Sequence, residues 1–468
     1  MKSSSFSPSL PTQRKIGLIS LGCAKNLVDA EILLGDALRH GYELTQQHDQ
    51  ADVLLVNTCG FIDLAKEESI NAILEAHRHR LHGTKVGQKL VVGGCLAQRY
   101  SQELAKQLPE VDAFLGLDEI TRAGEIFNRL FEQECSQEHR INVSQRAAYI
   151  PDFDTPRVRL TAAHTAYVKI AEGCNHPCSF CVIPRMRGRH RSRSIDSIVK
   201  EVEGLVQSGV REINLVSQDT TYFGMDQWEK KVGPRQQVDP SRGPSLIGLL
   251  DTLGHIEGNF WIRLLYTHPA HWSNELIAAI ARNPKVARYI DMPLQHIDEE
   301  MLASMKRETS RQHIIDLIAR LRSAIPDLIL RTTFIVGFPG ESEEHFKNLL
   351  DFIEETRFER LGVFAYSQEE QSRAAKLPHQ IHPKTKERRL REAMLLQQQI
   401  ARQWAQNQVG KELNILADTP LLGRSEGDAP EVDCRVHFLQ PVTPGTFLKT
   451  KITGTRDYDL VGEVIEKL

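Results

Sequence analysis

The chain has no run of about 18 apolar residues, the length a helix needs to cross a bilayer, so no membrane is expected as a partner. Its start, MKSSSFSPSLPTQRK, has no apolar stretch of the signal-peptide kind, and residues 1–13 read as a disordered tail. A cytoplasmic location is the expectation. An excess of one charge is also missing. Lys and Arg number 58 against 61 Asp and Glu, which gives no whole-chain attraction to nucleic acid. Cysteines number only eight in 468 residues, and in a reducing compartment they read as metal ligands before disulfides. Where three of them gather at close spacing, no fourth lies near. The length exceeds what one hydrophobic core can hold and implies about three domains.

The close group lies in Glu172–Arg193, EGCNHPCSFCVIPRMRGRHRSR, with Cys174, Cys178 and Cys181 in the spacing C-x3-C-x2-C. Iron–sulfur clusters are usually held by four thiolates. Three leave one iron open, much as a catalytic zinc keeps an open position. The rival is a zinc knuckle with His176 as fourth ligand. That residue lies inside the first Cys loop, and structural zinc sites come from paired Cys and His spacings. The spacing is similar to the signature of the radical S-adenosylmethionine (SAM) enzymes. The resemblance implies a [4Fe-4S] cluster whose open iron takes SAM and whose electron cleaves it to a deoxyadenosyl radical.

Residues 14–140 alternate strand and helix. Strands are expected at 15–22, 51–57 and 89–94, and helices at 26–39, 63–79 and 98–108. Repeated βα units imply a parallel sheet. Cys23, Cys59 and Cys95 each follow one of these strands, 36 residues apart, so a parallel sheet would bring all three to its carboxyl edge. The following helices would point their N-termini at the same place, which suits an anionic cluster. Against this stands the reading of each as a small core residue. The pattern resembles the N-terminal domain of the methylthiotransferase family, and this implies a second [4Fe-4S] cluster that carries the sulfur for the substrate. GCAKNLVDAE (22–31) looks like the RimO branch, which acts on a ribosomal protein. The branch acting on transfer RNA usually has Gln and Met or Phe where Ala24 and Lys25 stand. Residues 141–159, with Pro151 and Pro156, read as a linker.

From 160 to 400 six strands alternate with helices, starting near residues 166, 212, 261, 289, 329 and 360. Six βα units suit a partial (β/α)6 barrel, with active residues at the carboxyl ends of the strands. Ser217, Gln218, Asp219, Gln295, His296, Arg331 and Thr333 are therefore candidates, together with Gly337 of GFPG (337–340). The resemblance implies that such groups bind SAM, and FIVGFPGE (334–341) is similar to the glycine motif near the adenine. Phe180 either lies against the adenine or plugs its loop. The arginines at 185, 187, 189, 191 and 193 read as a solvated loop before a phosphate site.

Residues 401–468 carry short strands and turns, which suggest a small antiparallel β-barrel. This part resembles the TRAM domain, usually an RNA-binding module. The run GRSEGDAPEVD (423–433) looks like its RimO version, although Cys434 stands where Gly is usual and puts a tight turn in doubt. From 411 to 468 there are seven basic and ten acidic side chains, a balance better matched to a basic protein than to phosphate. The fold class is thus α/β in three modules. The resemblance implies a methylthiotransferase that adds a methylthio group to the β-carbon of an Asp in small-subunit ribosomal protein S twelve, using two SAM and two [4Fe-4S] clusters. It also implies an electron donor such as flavodoxin or ferredoxin, a sulfur donor, and a monomer. The alternatives are a transfer RNA adenosine methylthiotransferase and, more distantly, a two-cluster electron carrier or an RNA-binding protein.

Overall fold

The computed structural model describes residues 13–83, 85–132, 140–233 and 235–468. Cys135 and all but the last residue of the 1–13 tail lie outside the described residues. The chain forms two compact units. The first runs to Tyr149 and includes Thr155–Leu160 and Arg185–Arg187; the second holds the remainder, so the SAM-type barrel and the C-terminal module share one unit.

The first unit is a six-stranded sheet built from β1 (Lys15–Ser20), β2 (Glu43–Leu44), β3 (Val53–Thr58), β4 (Lys89–Gly94), β5 (Ala113–Leu115) and β6 (Ile141–Asn142). Every pairing is parallel, in the order β2-β1-β3-β4-β5-β6. Helices α1 (Ala24–Arg39), α2 (Asp63–His82), α3 (Cys95–Gln107) and α4 (Ala123–Glu132) connect or follow these strands. β3 is buried at all six positions, the near-continuous apolar run of a strand covered on both faces. Three strands, β2, β5 and β6, are absent from the sequence reading. β2 and β6 are two residues each, too short to show a period, and β6 falls inside the segment read as linker. β2 matters most, because it lies on the far side of β1 and makes the strand order reverse between β1 and β3. That reversal is where doubly wound sheets open a binding crevice. Residues 155–160 also pack in this unit: Arg157 pairs with the buried Glu31 of α1 at 2.5 Å, and the Leu160 amide donates to the same carboxylate at 2.7 Å.

In the second unit β7 (Thr165–Lys169) leads to the Cys loop, which is flanked by the antiparallel pair β8 (Ala171–Glu172) and β9 (Arg191–Ser192) and contains the short α5 (Ile183–Met186). The strands β10 (Glu212–Val216), β11 (Trp261–Leu264), β12 (Val286–Asp291), β13 (Ile329–Val336) and β14 (Arg360–Ala365) then extend β7 into an all-parallel, six-stranded open barrel. Helices α6 (Ile195–Gln207), α7 (Leu246–Gly254), α8 (Asn274–Arg282), α9 (Glu299–Ser304), α10 (Arg311–Ala324), α11 (Glu343–Thr356) and α12 (Pro383–Gln406) follow in sequence. Serines cap five of them, at 194, 245, 273, 310 and 342, each accepting from a backbone amide in the first turn. One apolar core joins the strands' side chains to helix residues such as Ile198, Leu249, Ile280, Leu317 and Phe352.

The last five strands, β15 (Glu412–Ala417), β16 (Leu422–Ser425), β17 (Val436–Phe438), β18 (Phe447–Arg456) and β19 (Asp459–Lys467), close in the order β15-β16-β17-β19-β18. All pairs are antiparallel except β17 with β19. The loop 426–433 is not a surface run. Asp428 takes the guanidinium of Arg360 at 2.6 Å, and Asp433 accepts from Tyr289 at 2.7 Å. Arg424 grips Glu212, which has no exposed surface, at 2.7 and 3.0 Å. The acids of this module that counted toward a basic partner are therefore partly consumed inside the protein, with Asp418, Asp428 and Asp433 all paired to arginines. The turn feared for at Cys434 is made three residues earlier by Glu431, whose φ is 69°.

Candidate functional site

The first site is assembled by three turns of the parallel sheet. Cys23 is the N-cap of α1 and its side chain makes no cap hydrogen bond; Cys95 opens α3. Asn26 of α1 ties the turns together, donating to the carbonyls of Leu21 and Thr58 at 2.7 and 3.2 Å. Thr58 donates to the Gly93 carbonyl at 2.6 Å, and Arg99 to that of Gly60 at 2.8 Å, which joins the second and third turns. Gly22 has a φ of 95°, and a Cβ there would stand 3.1 Å from the Cβ of Cys59. The thiols are close enough to feel one another: charge on Cys23 and Cys59 raises the pKa of Cys95. Burial pushes Cys95 up to about 12 and raises Cys59 as well. Cys23 goes the other way. Loss of surrounding water raises it, but the cations of Lys25 and Arg187 together outweigh that and hold it below the ordinary thiol value. Three thiols with helix N-termini behind them and a basic surround fit the donor chemistry of an anionic iron–sulfur cluster.

The second site is the loop after β7. Gly173 (φ 82°) makes its turn, and an added Cβ would strike the Arg189 carbonyl. The amide of Cys174 donates to Gly188, that of Cys181 to Cys178, and that of Ile183 to the sulfur of Cys181 at 3.4 Å. Ser179 anchors the loop on the turn after α9, donating through its amide to Met305 at 2.9 Å and through its hydroxyl to Ser304 at 2.8 Å. Burial drives Cys174 well up and Cys181 to about 12; the charges of Asp219, Cys181 and Cys178 add to the rise at Cys174, and that of Cys178 to the rise at Cys181. Such thiols need a metal's charge to ionise, as a cluster supplies. Phe180 packs, partly buried, beside the apolar group of Met301, Met305, Phe338 and Tyr366.

His176 is not turned toward the sulfurs as a fourth ligand. Its Nε2 lies 2.7 Å from Asp219 and its Nδ1 3.2 Å from Glu308. Burial lowers its pKa, but these two carboxylates win and raise it to about 10, so the ring is a cation stapling the Cys loop to the loop after β10 and to the turn between α9 and α10. The ring nitrogens of His176, His268 and His271 lie within 4.8 Å of one another, a spacing that a metal ion would accept. All three rings are already engaged: His271 Nδ1 is 2.6 Å from the Gln236 carbonyl and its Nε2 faces Asp219 at 3.4 Å, while His268 Nδ1 accepts from the Ala270 amide at 3.2 Å. The cluster reads as a hydrogen-bond network.

Of the strand-end candidates, Ser217, Gln218 and Asp219 follow β10 directly. Gln218 donates to Glu172 at 2.5 Å, which is also held by Lys169 at 2.6 Å, and its own carbonyl oxygen has no partner among the described residues. Ser217 meets the Thr220 hydroxyl at 3.3 Å. Gln295 sits in left-handed backbone (φ 74°), and its amide donates to Thr333. Backbone held there concentrates at functional sites. Gly337 (φ 72°) donates its amide to Glu341 at 2.6 Å; Glu341 also binds Arg389 at 2.6 Å and faces His296 at 3.2 Å. Glu341 organises the whole glycine loop, and sequence reasoning missed it although it closes the quoted motif. Arg331 is placed differently from the expectation. It is the third of eight residues in β13, and its guanidinium lies between Asp291 (2.9 Å) and Asp433 (3.4 Å) of the 426–433 loop of the C-terminal module. The reading of the arginine run as solvated fails for two members: Arg187 and Arg193 are buried, the latter bound to Glu201 at 2.5 Å.

Family models match all three modules: "Uncharacterized protein family UPF0004" over residues 15–116, "Radical SAM superfamily" over 168–353 and "TRAM domain" over 409–465. A curated protein of Opitutus terrae, "Ribosomal protein uS12 methylthiotransferase RimO", is 55% identical over 451 residues, covering 96% of each chain. The chain belongs to the RimO family. The RimO protein of Akkermansia muciniphila is 50% identical and covers 96% of this chain and 99% of its own. Among solved structures, the radical SAM methyltransferase TsrM of Kitasatospora setae superposes with a TM-score of 0.54 at 14% identity, over 75% of this chain and 72% of that one, a likeness of fold. Within this RimO-family chain both thiol trios stand on the carboxyl side of parallel strands, as the sequence reading required, whereas the SAM-type barrel carries a buried His and carboxylate network that spacing alone could not reveal.

Proposed function

We propose that the chain is a radical SAM methylthiotransferase that adds a methylthio group to the β-carbon of an Asp in ribosomal protein S twelve. One observation carries the reading: two separate trios of thiols, each without a fourth cysteine among the described residues, in a chain that matches RimO proteins along nearly its whole length. When bound, two [4Fe-4S] clusters and SAM supply radical generation at one trio and sulfur at the other. An aliphatic C–H bond has no useful pKa, so acid–base chemistry cannot open it and a cofactor is required.

The protein's own groups do the holding. Cys23, Cys59 and Cys95 retain the sulfur-giving cluster, and Lys25 favours the ionised form of Cys23. Cys174, Cys178 and Cys181 retain the cluster that meets SAM. Asp219, kept strongly ionised by His176 and His271 against the effect of burial, together with Gln218 and the glycine loop around Gly337, offers polar groups for the methionine and ribose parts. Flavodoxin or ferredoxin gives the electron, a separate donor renews the sulfur, and the enzyme works as a cytoplasmic monomer; no helix among the described residues is long and apolar enough to cross a membrane. Mass spectrometry of S twelve and of transfer RNA from cells lacking the gene tests this. Loss of the methylthio mass from the protein is expected. Loss from adenosine instead would select the transfer RNA reading, and loss from neither would remove the enzyme reading.

A further inference from the structure

Each thiol trio is served by one buried guanidinium. In the first unit Arg187, only 2% exposed, donates to the sulfur of Cys95 at 3.1 Å and to Asp29 of α1 at 2.9 Å. In the second unit Arg307, 9% exposed, donates to the sulfur of Cys178 at 3.5 Å and to the carbonyl of Pro293 at 2.8 Å. The second partners of the two arginines differ: the cation of Arg187 is paired with the carboxylate of Asp29, whereas the second bond of Arg307 goes to a neutral carbonyl. Hydrogen bonds to ligand sulfurs and local net charge set the reduction potential of iron–sulfur clusters, because both weigh more heavily on the reduced, more negative state.

We propose that Arg187 and Arg307 are positioning residues that set the reduction potentials of the two clusters separately, Arg187 through its N–H···S bond to Cys95 and Arg307 through its N–H···S bond to Cys178, with Asp29 trimming the effect at the first. This rests on the reading that each trio holds a cluster. Neither arginine belongs to a thiol trio. Removing the donor destabilises the reduced state and lowers the potential. Removing the Asp29 charge while Arg187 stays in place raises it.

The test uses the full-length chain, reconstituted anaerobically, in two backgrounds: Cys174, Cys178 and Cys181 all to Ala to isolate the first cluster, and Cys23, Cys59 and Cys95 all to Ala to isolate the second. Redox titration followed by electron paramagnetic resonance reads the potential, and iron analysis reads occupancy, with about four irons expected in each background. Arg187→Gln should shift the first cluster downward, Asp29→Asn should shift it upward, and Arg307→Gln should shift the second downward. Arg187→Gln introduced alone into the otherwise unaltered enzyme should leave the second cluster's signal in place. Opposite signs at Arg187 and Asp29 are what a merely structural role would not produce. An unchanged potential at full iron content, shifts of one sign for both first-cluster variants, or a shift of both clusters by one substitution overturns the proposal. Where a Gln variant loses its iron, the Lys variant decides: restored cluster with a potential near the parent's supports the donor role, and no restoration overturns it. Backgrounds that hold no iron with every arginine intact would instead refute the two-cluster reading and this proposal with it.

Discussion

Arg424→Met should loosen the C-terminal module from the SAM-type barrel, and the structure gives the size of the effect. The guanidinium makes five hydrogen bonds: to Glu212 at 2.7 and 3.0 Å, to Asp418 at 2.7 and 2.9 Å, and to the Asp428 carbonyl at 3.1 Å. Methionine keeps much of the volume and removes them all. Glu212, with no exposed surface, is left with Arg263 at 2.9 Å and a weak contact to Thr165 at 3.3 Å. Breaking a buried pair from one side costs about 3–5 kcal/mol, because the remaining charge stays buried. For a unit of this size that corresponds to a fall in Tm of about 5–8 °C. Adding Glu212→Gln should recover a good part of the loss, as coupled neighbours do. The pH dependence has a definite sign. Burial raises the carboxyl of Glu212, but Arg424 and Arg263 win and hold it below the ordinary value. Its contribution is therefore complete above the unfolded carboxylate pKa of about 4.3 and is lost as pH falls through the lower folded value. Thermal melts of metal-free wild type and variant by circular dichroism should differ fully at pH 7 and converge toward pH 3. A Tm within 1 °C of wild type at pH 7, or a double variant that simply sums the two single losses, would refute this account of how the module is held.

Four further outcomes follow from the sites. Cys178→Ala should abolish reductive SAM cleavage, read as deoxyadenosine by chromatography, whereas Cys59→Ala should retain cleavage and lose methylthio insertion; equal loss of both would remove the division of labour between the trios. Gly22→Ala forces a Cβ into left-handed backbone 3.1 Å from that of Cys59, and should cost about 1–2 kcal/mol and lower iron loading at the first trio while sparing the second, which iron analysis in the triple-Ala backgrounds reads. Glu341→Gln removes the charge that holds Arg389 and weakens the acceptor for Gly337, so SAM affinity measured by calorimetry should fall about tenfold, the equivalent of about 1.4 kcal/mol; an unchanged affinity would detach the glycine loop from the cofactor. His176→Asn should leave the second trio able to load iron but heat-labile, since the loop loses its charged staple while no cluster ligand is removed; a variant that cannot load iron at all would mean that the ring has a closer role.

Much of this protein is legible in its residues. Two sets of three cysteines, one local and one at 36-residue intervals, announce open-iron clusters, and the repeated βα pattern places the second set on one sheet edge because strand direction and connection length leave a parallel sheet little choice. Other features were decided only by the folded chain. The two-residue β2, too short for any period, creates the reversal of strand order beside Cys23. Arg331, Asp428 and Asp433 look like site or surface residues in sequence, yet they meet in a buried ion network, because pairing depends on which strands become neighbours. His176, His268 and Glu308 lie far apart in the chain and converge only when their loops do. Local spacing specifies which ligands a short loop can offer; burial, charge compensation and the choice of a second partner for Arg187 or Arg307 are properties of long-range contacts, which no window of sequence contains.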